Sequence, residues 1–334
     1  MKPIILAIES SCDETSAAVI CNGKIANNIV ATQSVHEIYG GVVPELASRA
    51  HQQHIVPIVD QAIKEAGIAM KDLDAVAFTQ GPGLLGALLV GASFAKSLSL
   101  ALDIPLIGVN HMQAHILAHF IDQPQPKFPF LCLTVSGGHT QIVKVDSPLQ
   151  MEVIGQTLDD AVGEAFDKSA KIMGLPYPGG PLIDKYASTG NPLAYEFPDS
   201  SIPGLNFSFS GIKTSFMYFI RDMRKSDPDF VEKNMADICA SLQHSLIRML
   251  MQKLKKASDK TGIKEIAIAG GVSANMGLRT TLEELAVKKR WHIFIPQMQY
   301  CTDNAAMIAI TAHYKYLEKD FCQLDASPEP RMAI

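Results

Sequence analysis

Apolar and polar positions repeat one pattern twice along the chain. The first copy opens with an apolar run at residues 3–8, a polar turn at 9–14 and a strand-like run at 15–21. Asn22-Gly23 separates this run from a third one, and the pair is the strongest short signal for a β-hairpin because both residues tolerate positive φ. The pattern therefore predicts three antiparallel strands at the start of the chain.

The second copy begins near residue 129 with three strand-like runs, at residues 130–135, 140–145 and 151–157. Each half then contains a buried strand that ends in a glycine turn before a helix, at 73–79 and 265–269. Each half ends with a strand that leads to a further helix, at 104–109 and 291–295. Both halves thus predict the order βββ-α-β-α-β-α, an α/β fold in which a mixed sheet is covered by helices.

The length of the chain, 334 residues, also fits two domains, since domains cluster at about 100–150 residues. We expect an N-terminal domain of residues 1–110 with a helix at 303–325. The second domain is expected to comprise residues 111–302, with a helical insertion around 160–260. Two such units flank a cleft, which is where ligands are usually bound.

Composition narrows the possible partners. Hydrophobic residues at 47% and charged residues at 19% indicate an ordinary globular protein. The net charge of −5 excludes a general attraction to nucleic acid, so an RNA site requires a local basic patch. The apolar run at residues 4–8 is too short for a signal peptide or a membrane span, and the six cysteines show no metal-type spacing. We therefore expect a cytoplasmic protein with reduced thiols and no membrane association.

Small-residue turns at equivalent points of the two halves predict phosphate sites. The turns at residues 10–12 and 136–138 each follow a first strand and can direct backbone N–H groups at an anion. The Gly270-Gly271 turn allows a nucleotide to approach the backbone closely. Together they predict a nucleotide cleft, and the arrangement resembles the actin, heat-shock ATPase and sugar-kinase superfamily.

His111 and His115 are four residues apart at the start of a predicted helix, so both imidazoles lie on one face. An isolated pair of this kind indicates surface or capping residues, which is how we interpret His51 and His54. Here the pair follows a strand at the cleft edge, and the duplication places Asp303 at the equivalent helix of the second half. Two histidines and one carboxylate predict a site with open positions for iron(II), zinc or manganese.

Four further features allow both a structural and a functional interpretation. Asp13 and Glu14 lie in the first anion loop, either as capping acids or beside a metal, an amine or a sugar hydroxyl. Asp167 binds ribose hydroxyls or a ligand amine, or forms an ion pair one helical turn away. Gly180 permits close ligand approach or belongs to an ordinary loop. The aromatic and basic stretch at 206–225 can hold RNA, although its composition favours a half-buried strand that leads into a helix.

Ten successive motifs resemble those of one family, the universal tRNA threonylcarbamoyltransferases in their bacterial form, once called O-sialoglycoprotein endopeptidases. The motifs are IESSCDETSAA (8–18), GGVVPELASRAH (40–51), GPGLLGALLVG (81–91), HMQAH (111–115), VSGGHTQ (135–141), GEAFDK (163–168), YPGGP (177–181), SFSGIKT (208–214), AGGVSANMGLR (269–279) and CTDNAAMIA (301–309). The likeness extends from residue 4 to about residue 310, and residues 327–334 carry no motif.

This resemblance implies transfer of a threonylcarbamoyl group from threonylcarbamoyl-AMP to N6 of the adenosine next to the anticodon, in tRNAs that read codons beginning with A. It implies one divalent metal on His111, His115 and Asp303, with iron favoured slightly over zinc. The implied partners are tRNA, a smaller paralogous subunit and a P-loop ATPase.

The resemblance also assigns roles to the loops. Phosphate and threonylcarbamoyl binding is implied for Thr134, Val135, Ser136, Gly137 and Gly138. A nucleoside pocket is implied for Asp167, Gly180, Asp184 and Asn275. Asp13 or Glu14 becomes the candidate to accept the proton of the amine, with the AMP phosphate as a rival.

Three other classes of function share some of these features. A sugar kinase or chaperone-like ATPase has the same fold but hydrolyses ATP alone and needs Mg²⁺. A metalloprotease of the HExxH type needs a glutamate general base directly after the first histidine, where this chain has Met112. A non-catalytic scaffold resembling the paralogous subunit would lack the metal residues, and this chain keeps all three.

Overall fold

A computed structural model of the chain describes residues 3–33, 35–199 and 202–334. Its strands are β1 (Ile4–Glu9), β2 (Glu14–Cys21), β3 (Lys24–Thr32), β4 (Ala75–Gly81), β5 (Leu106–Asn110), β6 (Phe130–Val135), β7 (Thr140–Ser147), β8 (Gln150–Gln156), β9 (Glu265–Ala269) and β10 (His292–Phe294). Its α-helices are α1 (Val35–Tyr39), α2 (Pro44–Glu65), α3 (Leu85–Leu102), α4 (His111–Leu117), α5 (Val162–Met173), α6 (Gly179–Ala187), α7 (Ser210–Ser226), α8 (Phe230–Lys233), α9 (Met235–Thr261), α10 (Met276–Lys289) and α11 (Ala305–Leu317).

The described residues form two compact units. Unit 1 lies within Met1–Gln125, Ser147–Met151 and Pro296–Ile334, and unit 2 lies within Pro126–Asp146 and Glu152–Ile295. This division differs from the predicted one, because residues 111–125 and 296–302 belong to unit 1. The physical reason is that α4 and α11 pack against each other, and α11 also packs on β1, β2 and β3.

Unit 1 is built on a five-stranded mixed sheet of order β3-β2-β1-β4-β5. The first three strands of the chain are antiparallel neighbours, and β4 is parallel to both β1 and β5. Asn22 and Gly23, with φ of 53° and 76°, connect β2 to β3 and confirm the predicted hairpin. Strands β1 and β4 are almost wholly buried, which explains their continuous apolar sequences.

Unit 2 repeats this arrangement. Its five strands are ordered β8-β7-β6-β9-β10, with β6 antiparallel to β7 and parallel to β9. Each strand occupies the place of its counterpart in unit 1, so the predicted duplication and α/β class are confirmed. The larger core lies in this unit, where helices α5 to α10 surround the sheet side chains.

One described helix, α3, is long and apolar enough to cross a membrane by length and composition, with a mean hydropathy of 1.7 over its 18 residues. A single helix of this kind is weak support for a membrane span, because the core helix of a soluble domain passes the same test. Here α3 packs against β4 and α2 through buried residues that include Leu88, Ala92 and Ala95.

Candidate metal centre and substrate loops

Helix α4 carries two histidines at its start. The helix follows β5 directly, and Asn110 caps it by accepting the backbone N–H groups of Met112 at 2.9 Å and Gln113 at 3.1 Å. This cap fixes the first turn, so that His111 and His115 project from the same face. Both histidines are buried.

Asp303 lies just before α11, and the start of that helix is fixed to the sheet of unit 1. Asn304 is its cap and accepts the N–H of Met307 at 3.1 Å. The first two N–H groups of the helix also have partners in the sheet. Those of residues 305 and 306 donate to Ser16 Oγ at 2.8 Å and to Asn28 Oδ1 at 3.1 Å. Strands β2 and β3 therefore determine where the Asp303 carboxylate lies.

The three predicted ligands converge. Asp303 Oδ1 lies 3.3 Å from His111 Nε2 and 3.1 Å from His115 Nε2. The ligand atoms all lie within 4.8 Å of one another, and the two imidazole rings are perpendicular with centroids 4.7 Å apart. These groups could hold one metal ion, and two imidazole nitrogens with one carboxylate suit iron(II) or zinc with coordination positions left open.

A fourth residue of this centre, Glu9, was not identified from the sequence. Its fully buried carboxylate lies at the end of β1, and Oε2 is 3.1 Å from His111 Nδ1. The same carboxylate accepts the Thr79 hydroxyl at 2.7 Å and the backbone N–H of Ser11 at 2.5 Å. When Nδ1 donates to Glu9, the lone pair of His111 resides on Nε2, the atom that faces Asp303.

The charges of this centre compensate one another. Burial lowers the pKa of His111, but the carboxylates of Asp303 and Glu9 outweigh burial and raise that pKa well above its usual value. Burial raises the pKa of Glu9 and of Asp303, but His111 outweighs it and lowers both. The centre therefore favours a cation between its carboxylates, and a metal ion would replace the His111 proton.

Asp13 directly precedes β2 and Glu14 is the first residue of that strand, on the same unit as the three ligands. Burial raises the pKa of Glu14 to about 10, and the neighbouring carboxylates of Asp303 and Asp13 add to the shift. His51 supports this loop, since its Nε2 donates to the Cys12 carbonyl at 2.9 Å and its Nδ1 accepts from the Thr15 hydroxyl at 2.8 Å. His51 is therefore a structural residue, but it is fully buried, so its interpretation as a surface or helix-capping residue was wrong.

In unit 2, the turn after β6 is open at its two glycines. The N–H of Ser136 donates to the His139 carbonyl at 2.8 Å, and the N–H of His139 donates to Ser136 Oγ at 3.0 Å. A Cβ on Gly137 or Gly138 would meet no heavy atom within 4 Å. Within the described part of the chain, neither glycine N–H donates to a protein acceptor. The turn therefore leaves two N–H groups available to a ligand.

The two residues before this turn contribute differently. The side chains of Thr134 and Val135 are fully buried on β6, and Val135 belongs to the core of unit 2. Gly270 lies against the end of this strand, since a Cβ there would be 2.5 Å from the Val135 carbonyl oxygen. Its φ of 89° also favours glycine. Thr134 and Val135 are also paired with neighbouring strands along β6, so this structure exposes no group of either residue to a ligand.

Asp167 fixes the start of α6. Its Oδ1 accepts the N–H groups of Gly179 at 2.8 Å and Gly180 at 3.1 Å. Burial raises the pKa of Asp167, and the two N–H groups partly offset that shift. Among the described residues it makes no ion pair with Lys171, which was the structural alternative. Asp167 and Gly180 are thus brought together by a hydrogen bond at the start of α6.

Asp184, further along α6, belongs to a second polar group. Its Oδ2 accepts the N–H of Met276 at 2.8 Å, and its Oδ1 accepts from Gln243 Nε2 at 3.0 Å. Gln243 Oε1 accepts from Asn275 Nδ2 at 2.7 Å, and Asn275 Oδ1 caps α10 by accepting the N–H of Leu278 at 2.8 Å. The structure therefore joins Asp184 to Asn275 through Gln243, a residue of α9 that the sequence analysis missed.

The aromatic and basic stretch at 206–225 is structural in its aromatic part. Phe207 and Phe209 are buried, so their rings are not available to stack on bases. Lys213 Nζ lies 2.9 Å from Asp160, and Arg221 pairs with the adjacent Asp222. The expected helix is α7, which begins at Ser210, but in place of the expected strand there is only an isolated β-bridge between Phe207 and Thr157.

Comparison with known proteins identifies the family of the chain. A family model described as TsaD, tRNA N6-adenosine threonylcarbamoyltransferase, matches residues 24–310. The chain belongs to this family. A tRNA N6-adenosine threonylcarbamoyltransferase of Cytophaga hutchinsonii is 64% identical over 334 residues, with 100% of this chain and 97% of the relative covered. One of Porphyromonas gingivalis is 60% identical over 336 residues, with 99% and 98% covered. As a member of this family, the chain is a transferase that modifies tRNA. The family predicted from the ten motifs is confirmed.

Solved structures support the fold. Full-length HypF has a TM-score of 0.64 at 13% identity, with 95% of this chain and 47% of that chain covered. The (R)-2-hydroxyglutaryl-CoA dehydratase component A of Acidaminococcus fermentans has a TM-score of 0.55 at 14% identity, with 94% and 99% covered. These similarities agree with the predicted actin-like and sugar-kinase-like fold, and at this identity they say nothing about activity.

We predict that Glu9→Gln weakens metal binding about 10- to 100-fold, the range typical of outer-shell partners of metal ligands. The amide can present its NH₂ to Nδ1, which moves the His111 proton to Nε2 and removes the lone pair from the metal side. Competition with a chelator for Zn²⁺ and for Fe²⁺ measures the effect. Glu45→Gln, at a side chain that is 76% exposed, is the matched control. Equal affinities for Glu9→Gln and wild type would contradict the assignment.

Proposed function

We propose that this chain transfers the threonylcarbamoyl group of threonylcarbamoyl-AMP to N6 of the adenosine 3′-adjacent to the anticodon, in tRNAs that read codons beginning with A. The observation that carries the proposal is the convergence of His111, His115 and Asp303 in a member of this family. The scaffold alternative is disfavoured by the same convergence, since a scaffold has no use for three converging metal ligands.

The reaction is an acyl transfer with a good leaving group. The N6 amine attacks the carbamoyl carbon, a C–N bond forms, and the bond from that carbon to the phosphate oxygen breaks. AMP leaves with the electron pair of that bond, and the amine loses one proton. Because the adenylate is already activated, the protein has mainly to position the two reactants and stabilise the charge that develops on the phosphate.

The metal residues form the first part of this site. His111, His115 and Asp303 would hold one divalent ion, and Glu9 would orient His111 toward it. When bound, such an ion supplies positive charge that stabilises the phosphate oxygens of the leaving AMP. We favour Fe²⁺ over Zn²⁺, because two histidines and one carboxylate with open positions are typical of iron(II) sites.

The loops of unit 2 provide the substrate-binding part of the proposal. The stretch 134–138 would bind the phosphate and threonylcarbamoyl end, mainly through the N–H groups of Gly137 and Gly138. Asp167, Gly180, Asp184 and Asn275 would line the nucleoside pocket. Two hydrogen-bonded groups support this assignment: Asp167 with Gly180, and Asp184 with Asn275 through Gln243. Helix α6 carries a member of each group, Gly180 and Asp184.

Asp13 is the better candidate of the two acids to accept the amine proton. Burial is the main cause that raises the pKa of Glu14 to about 10 in the metal-free protein, which makes Glu14 the weaker proton acceptor of the two. A protonated Glu14 can instead donate a hydrogen bond to Asp13. The AMP phosphate is the rival acceptor, and the two are separated by the substitution described below.

The proposed partners follow from charge as well as from the resemblance. A chain with a net charge of −5 binds a polyanion weakly by itself, since phosphate contacts dominate such affinity. We propose that a smaller paralogous subunit and a P-loop ATPase assist this chain, and that the smaller subunit or the ATPase adds basic surface for tRNA. The proposed location is the cytoplasm.

A reconstituted transfer assay tests the function. The purified chain and its partners are given synthetic threonylcarbamoyl-AMP and unmodified tRNA, and the digested nucleosides are measured together with released AMP. We expect one AMP for each threonylcarbamoyladenosine formed. Release of AMP without modified nucleoside, or consumption of ATP by the isolated chain at the rate of a sugar kinase, would contradict the proposal.

Asp13→Asn is expected to lower kcat of the transfer about 100-fold or more, since a positioned general base contributes about 10²–10⁴-fold. Glu14→Gln should have a smaller effect, because the amide keeps the uncharged state and the hydrogen bond to Asp13. Substrate binding, measured by calorimetry, should be unchanged in both. Full turnover in both single variants and in the double variant would show that neither acid accepts the amine proton. The AMP phosphate would then be the proton acceptor.

Replacement of Lys213 and Arg221 by alanine is expected to weaken tRNA binding. The slope of affinity against salt should also fall, by about one unit for each phosphate that is no longer neutralised. The matched control replaces Lys255 and Lys260, two exposed residues of α9, and removes the same charge. Binding is measured with the assembled complex between low and moderate salt. Unchanged affinity at low salt would remove this segment from the RNA interface.

A further inference from the structure

Residues 327–334, which carry no family motif, lie along the edge of unit 1 where β4 and β5 end. The N–H of Glu329 donates to the Gln80 carbonyl at 2.8 Å, and Gln80 Nε2 donates to the Ser327 carbonyl at 3.2 Å. The N–H of Gly83, in the turn after β4, donates to the Pro330 carbonyl at 3.2 Å. The segment is therefore bound to the end of β4 and to the turn that follows it.

Gly81 shows how closely the segment fits. A Cβ at this position would overlap the Glu329 carbonyl oxygen and would approach Met332 Cβ to 3.1 Å. The three heavy atoms nearest to that Cβ all belong to the 327–334 segment. The φ of Gly81 lies outside the left-handed region, so its backbone conformation does not itself exclude alanine.

The segment also reaches the residue that caps the histidine helix. Asn110, the partner of Gly81 in the β4–β5 ladder, donates from Nδ2 to the Ala333 carbonyl at 2.9 Å. Its Oδ1 accepts the N–H groups of Met112 and Gln113. A carboxamide has an acceptor end and a donor end, so a fixed carbonyl at the donor end determines that the acceptor end faces the helix.

The internal duplication provides a comparison. Asn304 caps α11, the other helix that positions a metal ligand, and its Oδ1 accepts the N–H of Met307. Its Nδ2 donates to the Thr302 carbonyl at 2.8 Å, two residues earlier in the chain. Both capping amides are thus oriented by a carbonyl. For Asn304 that carbonyl is local, whereas for Asn110 it comes from the 327–334 segment, 223 residues away.

We propose that the 327–334 segment is a positioning element of the metal centre: it orients the Asn110 carboxamide and thereby fixes the first turn of α4, which bears His111. Its consequence for metal affinity rests on the proposed metal site. Its consequence for the α4 cap does not depend on a metal, so the two can fail separately.

Three variants test this inference in the full-length background: deletion of residues 327–334, Gly81→Ala, and the two combined. Hydrogen exchange of the Met112 and Gln113 amides is followed by NMR in the metal-free protein. We expect exchange to accelerate in each of the first two variants, by at most about fivefold, the factor for complete loss of an asparagine cap. The Met307 amide, capped in the same way by Asn304, is the internal control and should not change.

The combined variant separates the segment from the strand. Because the atoms that a Gly81 Cβ would meet belong to the segment, Gly81→Ala should have no further effect once the segment is deleted. If exchange were faster in the combined variant than in the deletion variant, Gly81→Ala would act through β4 itself. The Gly81→Ala result would then no longer support the inference. If the deletion variant does not fold, Gly81→Ala alone decides through the same amides.

Metal titration supplies the second readout. The deletion and Gly81→Ala should each weaken binding of Zn²⁺ about tenfold relative to wild type. Unchanged exchange at Met112 and Gln113, or equal acceleration at Met307, would overturn the inference whatever the metal affinity. A wild-type chain that binds no metal would overturn the proposed metal site instead, and the exchange result would still decide the role of the segment.

Discussion

The candidate centre depends on buried charges that compensate one another. The Asp303 carboxylate oxygen lies between His111 and His115, and the Glu9 carboxylate holds the opposite nitrogen of His111. An isolated ion costs several kcal/mol to bury, so these groups are stable inside the protein only as a set. A site of this kind binds a cation by replacing a proton, which makes metal binding and protonation alternatives at the same atoms.

The fold brings these groups together by using equivalent positions of its two halves. Helix α4 follows the last strand of the first repeat and α11 follows the last strand of the second, yet both pack in unit 1. Each is capped by an asparagine next to a metal ligand, Asn110 before His111 and Asn304 after Asp303. The two repeats therefore have similar helix starts, and the packing of α4 against α11 brings their metal ligands together in one centre.

Much of this was predictable from local patterns. Strand and helix order followed from apolar periodicity and from turn signals such as Asn22-Gly23, and the pairing of His111 and His115 with Asp303 followed from the repeat. The domain boundary at residue 110 did not, because the packing of α4 and α11 is a tertiary contact that no local pattern records. The boundary of β4 also lay two residues later than predicted, at Ala75–Gly81.

Supporting residues were harder to find than ligands. Glu9 carried a signal, since an acid at the end of a buried strand needs a buried partner, but the sequence does not name that partner. Gln243 carried none, because one glutamine on a 27-residue amphipathic helix is an ordinary residue. The hydrogen bond from the Asn110 side-chain amide to the Ala333 backbone carbonyl spans 223 residues. Because its acceptor is a backbone group, no pattern of side chains indicates it.

The central claim is that one metal ion on His111, His115 and Asp303 is required for threonylcarbamoyl transfer. It is tested most directly by measuring bound metal and modified nucleoside in the same preparations of wild type, His111→Ala and Asp303→Ala. His292→Ala, at an exposed histidine of unit 2, is the control. The account predicts one metal per chain and full product for wild type and control, with both lost together in the two site variants. Transfer activity that survives loss of the metal would contradict it.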